Sequence, residues 1–184
     1  MTRNQLAGPK YRRLLPDVYA PTELPVDLAL RSRAAHLLVA GTGGVLAGYS
    51  AALLLGADCA PIGAPAEVLV PGTCRRHPEL VVRYGRPDTA DVTSAGGCRV
   101  TSLSRTAWDL CRRLEHTEAV VAPDALAPAG RFAPADLLAR RNERPGARGC
   151  RGLDAVVAAS DPRAESPPET RLRLQLIQAG LPGR

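Results

Sequence analysis

Residues 66–101, AEVLVPGTCRRHPELVVRYGRPDTADVTSAGGCRVT, decide the fold. Short segments at 66–70, 80–84, 90–93 and 98–101 are rich in β-branched residues and separated by Pro and Gly, a pattern of brief strands joined by turns. They predict a small, mostly antiparallel sheet. On either side the periodicity changes. Upstream, Leu28, Leu30, Ala34, Leu37 and Leu38 recur at helical spacings until Gly41, and a second helix fits 45–55, ending at Gly56. Downstream, helices are predicted over 103–114, 118–126, 134–141, 153–159 and 167–179, divided by turns such as Pro128-Ala129-Gly130 and Arg144-Pro145-Gly146. At the front, YRRLLPDVYA (11–20) sets Pro16-Asp17 between two extended pieces, which predicts a β-hairpin. The class is therefore α+β: an N-terminal hairpin, two helices, a small sheet and a helical C-terminal half.

The last helix has the clearest local signature. Ser166 stands at the N-cap, Pro167 at the first helical position and Glu169 three residues after the cap, with Gly180 and Pro182 beyond the end. Its apolar residues, Leu172, Leu174, Leu176 and Ile177, predict an amphipathic helix with nothing beyond it to pack on, and hence an apolar stripe for a protein partner.

The chain has 184 residues, 45% of them hydrophobic and 23% charged, an ordinary globular balance with room for one domain or two small ones. No apolar run approaches the roughly 18 residues of a membrane span, and MTRNQLAGPKYRR has no apolar segment ahead of its basic cluster. Neither a membrane span nor a secretory signal is expected. The five cysteines, Cys59, Cys74, Cys98, Cys111 and Cys150, are irregularly spaced with no CxxC, which predicts free thiols and a cytoplasmic protein without a zinc ribbon. The net charge is +6, and Lys10 is the only lysine among 24 basic residues. An arginine-dominated basic chain favours polyanions. The alternative is a GC-rich coding sequence that sets Arg for Lys at ordinary surface positions.

Several motifs fail their chemical tests. In Gly41-Thr42-Gly43-Gly44-Val45-Leu46 the third glycine of a dinucleotide fingerprint is replaced by Leu46, and a helix rather than a strand precedes it. Gly48-Tyr49-Ser50-Ala51-Ala52 lacks the final glycine of a nucleophile elbow, and Ser50 falls within a predicted helix. Cys74 and His77, beside Arg75 and Arg76, form a lone pair in a Pro-flanked loop, which reads as surface rather than as a metal ligand set. Arg105 and Asp109 are spaced for a helical ion pair. What remains is basic: Lys10, Arg12 and Arg13 on the hairpin, and Arg140, Arg141 and Arg148 around a Gly-rich loop. Arginine is suited to bidentate phosphate contacts, so these six are the candidate nucleic-acid-binding residues.

The ordered runs YRRLLPDVYAP, GYSAALLLGA, DVTSAGGCRVTSLSRTAWDL, GARGCRGLDAVV and DPRAESPPETRLRLQLIQAGLP resemble actinobacterial proteins that join an AbiEi-antitoxin-like region to a Vsr-like endonuclease domain of the PD-(D/E)XK type. The resemblance implies that 11–20 is a remnant of a winged-helix wing, since only ten residues precede Tyr11. It implies domains at 1–24, 25–160 and 161–184, the last being the first helix of an endonuclease-like domain truncated before its catalytic strands. By the same resemblance Glu169 is the catalytic carboxylate only where a downstream catalytic domain exists, with Mg2+ as its metal. One glutamate cannot gather a divalent ion alone, so the implied function is that of a DNA-associated, antitoxin-like regulator without a complete nuclease site. The alternatives are the inactive front of such an endonuclease and a partner-binding module. Duplex DNA is the expected partner, with a toxin or other protein second.

Overall fold

The computed structural model describes Leu6 and residues 8–181. The α+β class holds. The hairpin consists of β1 (Tyr11–Leu15) and β2 (Val18–Pro21), with Asp17 in the left-handed region at the turn. Helix α1 (Leu28–Val39) follows, its first turn capped by the Asp27 carboxylate, which accepts from Leu30 N at 2.7 Å. Next come β3 (Val45–Leu46), α2 (Gly48–Leu54), β4 (Ala66–Val70), β5 (Leu80–Tyr84), β6 (Val92–Ala95) and β7 (Cys98–Thr101). The remaining helices are α3 (Leu103–Cys111), α4 (His116–Leu126), α5 (Asp136–Glu143), α6 (Leu153–Ala159) and α7 (Pro167–Gln178).

The chain divides into two compact units. The first holds residues 1–54 and 60–101, the second 55–59 and 102–184. The main boundary between the units falls after Thr101, and α7 lies within the second.

In the first unit the five strands run in the order β5-β4-β3-β7-β6. The sheet is mixed, where the sequence predicts mostly antiparallel pairing. β3 with β4 and β6 with β7 are antiparallel, but β4 with β5 and β3 with β7 are parallel. Only β6 and β7 are joined by a tight turn, so only there does connection length impose an antiparallel partner. The segment expected to be one helix from 45 to 55 is split, since Val45 and Leu46 pair with β4 and β7 before α2 begins. Val45, Leu46, Val68 and Val100 are completely buried at the sheet centre. Ala35 of α1 and Ala51 and Ala52 of α2 are equally buried, their small side chains allowing close approach of helix and strand.

A polar knot ties these layers together. Ser50 on α2 accepts from Ser32 of α1 at 2.7 Å and from the backbone N–H of Glu67 on β4 at 2.9 Å. The Glu67 carboxylate, itself buried, accepts from Tyr49 N at 3.1 Å and so caps α2 from another strand. Gly48 makes room for it: a Cβ there would stand 2.3 Å from Glu67 Oε1, at a backbone φ of +51°.

The second unit is a helical cluster around Ala107, Trp108, Val120, Val121, Leu126, Leu137 and Leu153. Pro123 lies inside α4 and has no N–H to offer the carbonyl one turn back, that of Ala119. The thiol of Cys111 takes its place, donating to Ala119 O at 3.2 Å. Burial raises both Cys111 and Cys59 to about 12, so each remains a thiol at neutral pH.

Helix α7 is not left without a partner. It packs on α4. Thr170 donates to Asp124 Oδ2 at 3.0 Å, Arg173 donates to the same oxygen at 2.8 Å, and Arg171 forks onto Glu118 at 2.6 and 2.8 Å. Leu174 is buried beside them, whereas Leu172 and Ile177 are 57% and 48% exposed. The inward face thus mixes Leu174 and the half-buried Leu176 with polar residues that meet a buried carboxylate on α4.

Two outcomes follow from these interactions. Gly48→Ala should cost more than about 2 kcal/mol, since it combines left-handed strain with displacement of a buried carboxylate. Gly63→Ala, also at positive φ but with open space around it, should cost about 1 kcal/mol in the same urea titration. For Cys111, a thiol pKa raised above its ordinary 9.0 contributes stability that is full below pH 9 and lost as pH climbs toward 12. Cys111→Ala should be about 1–3 kcal/mol less stable at pH 7 because the Ala119 carbonyl loses its donor. Denaturation between pH 7 and 11 should also show a shallower alkaline decline for the variant.

Candidate nucleic-acid interface

The expected basic residues fall into two groups, those already engaged by the fold and those left open. On β1, Arg12 and Arg13 point to opposite faces, as successive strand residues must. The Arg12 guanidinium donates to the carbonyl of Thr22 and, at 3.3 Å, to that of Leu24, tying the hairpin to the segment that leads into α1. Arg13 is exposed, with only its Nε donating to Leu15 O at 3.3 Å. Lys10 is exposed at the start of the hairpin.

Arg13 borders a shallow concavity of about 270 Å³ shared with Arg75, Arg76 and His77, from the loop between β4 and β5. In the sequence Arg75 and Arg76 read only as surface of that loop; the fold brings the loop to the hairpin. Arg13 also borders a second concavity of about 300 Å³, lined by Leu15, Val26, Ala34, Arg31 and Glu79 among others. The only carboxylate there is taken, since Glu79 pairs with Arg31 at 3.1 Å. His77 accepts from Glu79 N through Nδ1 at 3.2 Å. Arg75 and Arg76 are exposed and have no carboxylate partner among the described residues. Three guanidinium groups thus surround one groove without a counter-charge, an arrangement that attracts phosphate.

In the second unit the expected arginines separate differently. Arg140 is held against the Trp108 ring, its guanidinium carbon 5.9 Å from the ring centre, and reaches Ser104 Oγ at 3.5 Å. Arg141 pairs with Asp154 at 2.5 Å and holds that carboxyl below its ordinary value. Arg148 alone of the three is exposed and uncompensated among the described residues. It stands with Arg144 and Arg151 around an open concavity of about 740 Å³. The loop is anchored at Gly149, where a Cβ would lie 2.3 Å from the Arg112 carbonyl. The expected Arg105–Asp109 pair is present at 2.8 Å and belongs to a larger buried cluster in which Arg113 also reaches Asp109, at 3.3 Å.

Glu169 has a structural task. Ser166 Oγ accepts from Glu169 N at 3.4 Å, and the Glu169 carboxylate accepts from Glu165 N at 2.8 Å, a reciprocal cap shifted by one residue. Among the described residues no group of three or more His, Cys, Asp or Glu is placed to hold a metal. Glu169 therefore serves here as part of the cap of α7. Ser50 is fully buried and engaged as an acceptor, which removes it as a nucleophile. No helix among the described residues is long and apolar enough to cross a membrane.

The chain matches no protein-family model and no curated protein.

The two classes of arginine are separable by stability. Arg12→Ala should lower it by about 1 kcal/mol through loss of its carbonyl bonds. Arg13→Ala, Arg75→Ala and Arg76→Ala should each stay within about 0.5 kcal/mol of the parent in chemical denaturation.

Proposed function

We propose that this chain is a DNA-associated, antitoxin-like regulatory protein that grips the phosphates of duplex DNA through its first unit. The observation that carries the reading is the convergence of Arg13, Arg75 and Arg76 on one groove with no carboxylate among them. Lys10 extends the positive edge along the hairpin. Guanidinium forks that hold no carboxylate partner can bind phosphate without first breaking an ion pair. Such interactions fix a protein on DNA but read no bases, so the reading is one of association with the backbone. Arg148 offers a further phosphate ligand from the second unit, while Arg12, Arg140 and Arg141 act through the fold. The +6 net charge and the motif order that resembles AbiEi-like proteins support the same reading, under which a toxin or another protein is the second partner.

Duplex binding measured by fluorescence anisotropy across roughly 50–200 mM salt tests it, because neutralising phosphates releases counterions. The logarithm of affinity should fall linearly with the logarithm of salt. Replacing Arg13, Arg75 and Arg76 together by Ala should lower the slope by about 0.9 for each phosphate no longer neutralised, and equally on unrelated sequences. Binding without salt dependence, or a triple variant with the parent slope, would remove the proposal.

A further inference from the structure

The strand β5 stands at the edge of the five-stranded sheet; on its outer side Leu80 N donates to His77 O at 3.0 Å, and no strand pairs with it beyond that point. Gly85 N donates to Val70 O and Ala66 N donates to Glu79 O, so the odd-numbered residues of 79–85 turn their backbone groups toward β4. The backbone N–H and C=O of Val82 and Tyr84 therefore point away from the sheet. Edges of this kind are usually blunted by a proline, an inward charge or a bulge. Neither a proline nor a bulge interrupts LVVRY, and its one charge, Arg83, is drawn toward Glu67 of β4 at 3.6 Å rather than toward the open edge.

A groove of about 300 Å³ runs along this edge, lined by Arg76, His77, Pro78, Leu80, Val82 and Tyr84. Tyr84 is 60% exposed, a large ring with no cover. Basic residues stand at both ends: Arg76 before the strand and Arg86 after it, each exposed and without a carboxylate partner among the described residues.

We infer that β5 is a docking edge for an extended acidic segment of a protein partner, which adds to the sheet as a sixth strand. Main-chain bonds to Val82 and Tyr84 give such a segment its register, and alternate apolar side chains rest on Leu80, Val82 and Tyr84. Asp or Glu at each end of a short apolar run complements Arg76 and Arg86. A second copy of this chain does not satisfy the same edge. Antiparallel pairing of β5 with another β5 would bring the Arg76 end of one copy to the Arg86 end of the other, like charge against like. The inference shares Arg76 with the DNA reading, but its register rests on the backbone groups of Val82 and Tyr84, which phosphate binding does not use.

The test uses the full chain and two labelled nine-residue peptides, one of alternating Val and Thr flanked by Asp-Glu, the other with Lys-Lys flanks. Anisotropy should show the acidic peptide binding and the basic one at least about tenfold weaker. Val82→Pro removes an outward N–H and leaves the bonds to β4 in place, so it should weaken the acidic peptide about tenfold or more while the circular dichroism spectrum is unchanged. Arg76→Glu with Arg86→Glu should reverse the peptide preference and supplies the answer should the proline variant fail to fold. Equal binding of both peptides, no binding of either, or binding that survives the charge reversal overturns the proposal. So does a concentration-dependent dimer that Val82→Pro abolishes, which would assign the edge to a second copy.

Discussion

A carboxylate removed from water must be met by donors, and each unit of this chain is organised around one such group. In the first unit it is Glu67, which caps α2 from β4 and leaves no space for a side chain at residue 48. Ser50, which bonds the backbone of the same residue and the Ser32 hydroxyl, brings α1 into the arrangement. The hairpin packs on α1 and the arginine loop leads out of β4, so the basic groove inherits its geometry from this knot. In the second unit Asp124 accepts from Thr170, Arg173 and the backbone N–H of Asp161. Burial pushes its carboxyl above its ordinary value, while these donors and the Arg173 charge pull it back. Helix α7 supplies two of those donors, Thr170 and Arg173, beside the buried Leu174.

Much of the fold is legible in the sequence because its elements are locally consistent. Strands 66–70, 80–84 and 98–101, helix 153–159 and the Ser166-Pro167-Glu169 start of α7 each have a pattern that needs no distant residue to interpret. What the sequence hides is non-local. Two residues, Val45 and Leu46, are too few to show a period of two, and their strand pairing is imposed by β4 and β7. The parallel pairings depend on how loops cross, which composition does not encode. The inward face of α7 is hidden for a related reason: its leucines suggest an apolar stripe, whereas an arginine and a threonine are what meet Asp124. The candidate site shows the same division. Arg13 is legible as a hairpin cation, but Arg75 and Arg76 gain meaning only when the fold sets their loop beside it.

The excess of arginine is resolved into distinct uses. Arg12 bonds carbonyls, Arg105 and Arg113 neutralise a buried aspartate, Arg140 lies against an indole ring, and Arg171 and Arg173 fasten a helix. Planar, multiply donating guanidinium groups perform these tasks better than ammonium groups. Net charge alone therefore overstates the positive surface; the exposed guanidinium groups without carboxylate partners define it.

The Cys111 thiol substitutes for a backbone donor that Pro123 cannot supply, and this gives the residue a second property. Alkylation, oxidation or metal capture all consume the S–H proton and need access to sulfur, so none can proceed while the thiol is donating to Ala119. Its chemical reactivity is then gated by breathing of α3 away from α4. The ratio of its labelling rate to that of an unfolded thiol becomes a clock for the opening equilibrium of the second unit, read out at a single sulfur atom.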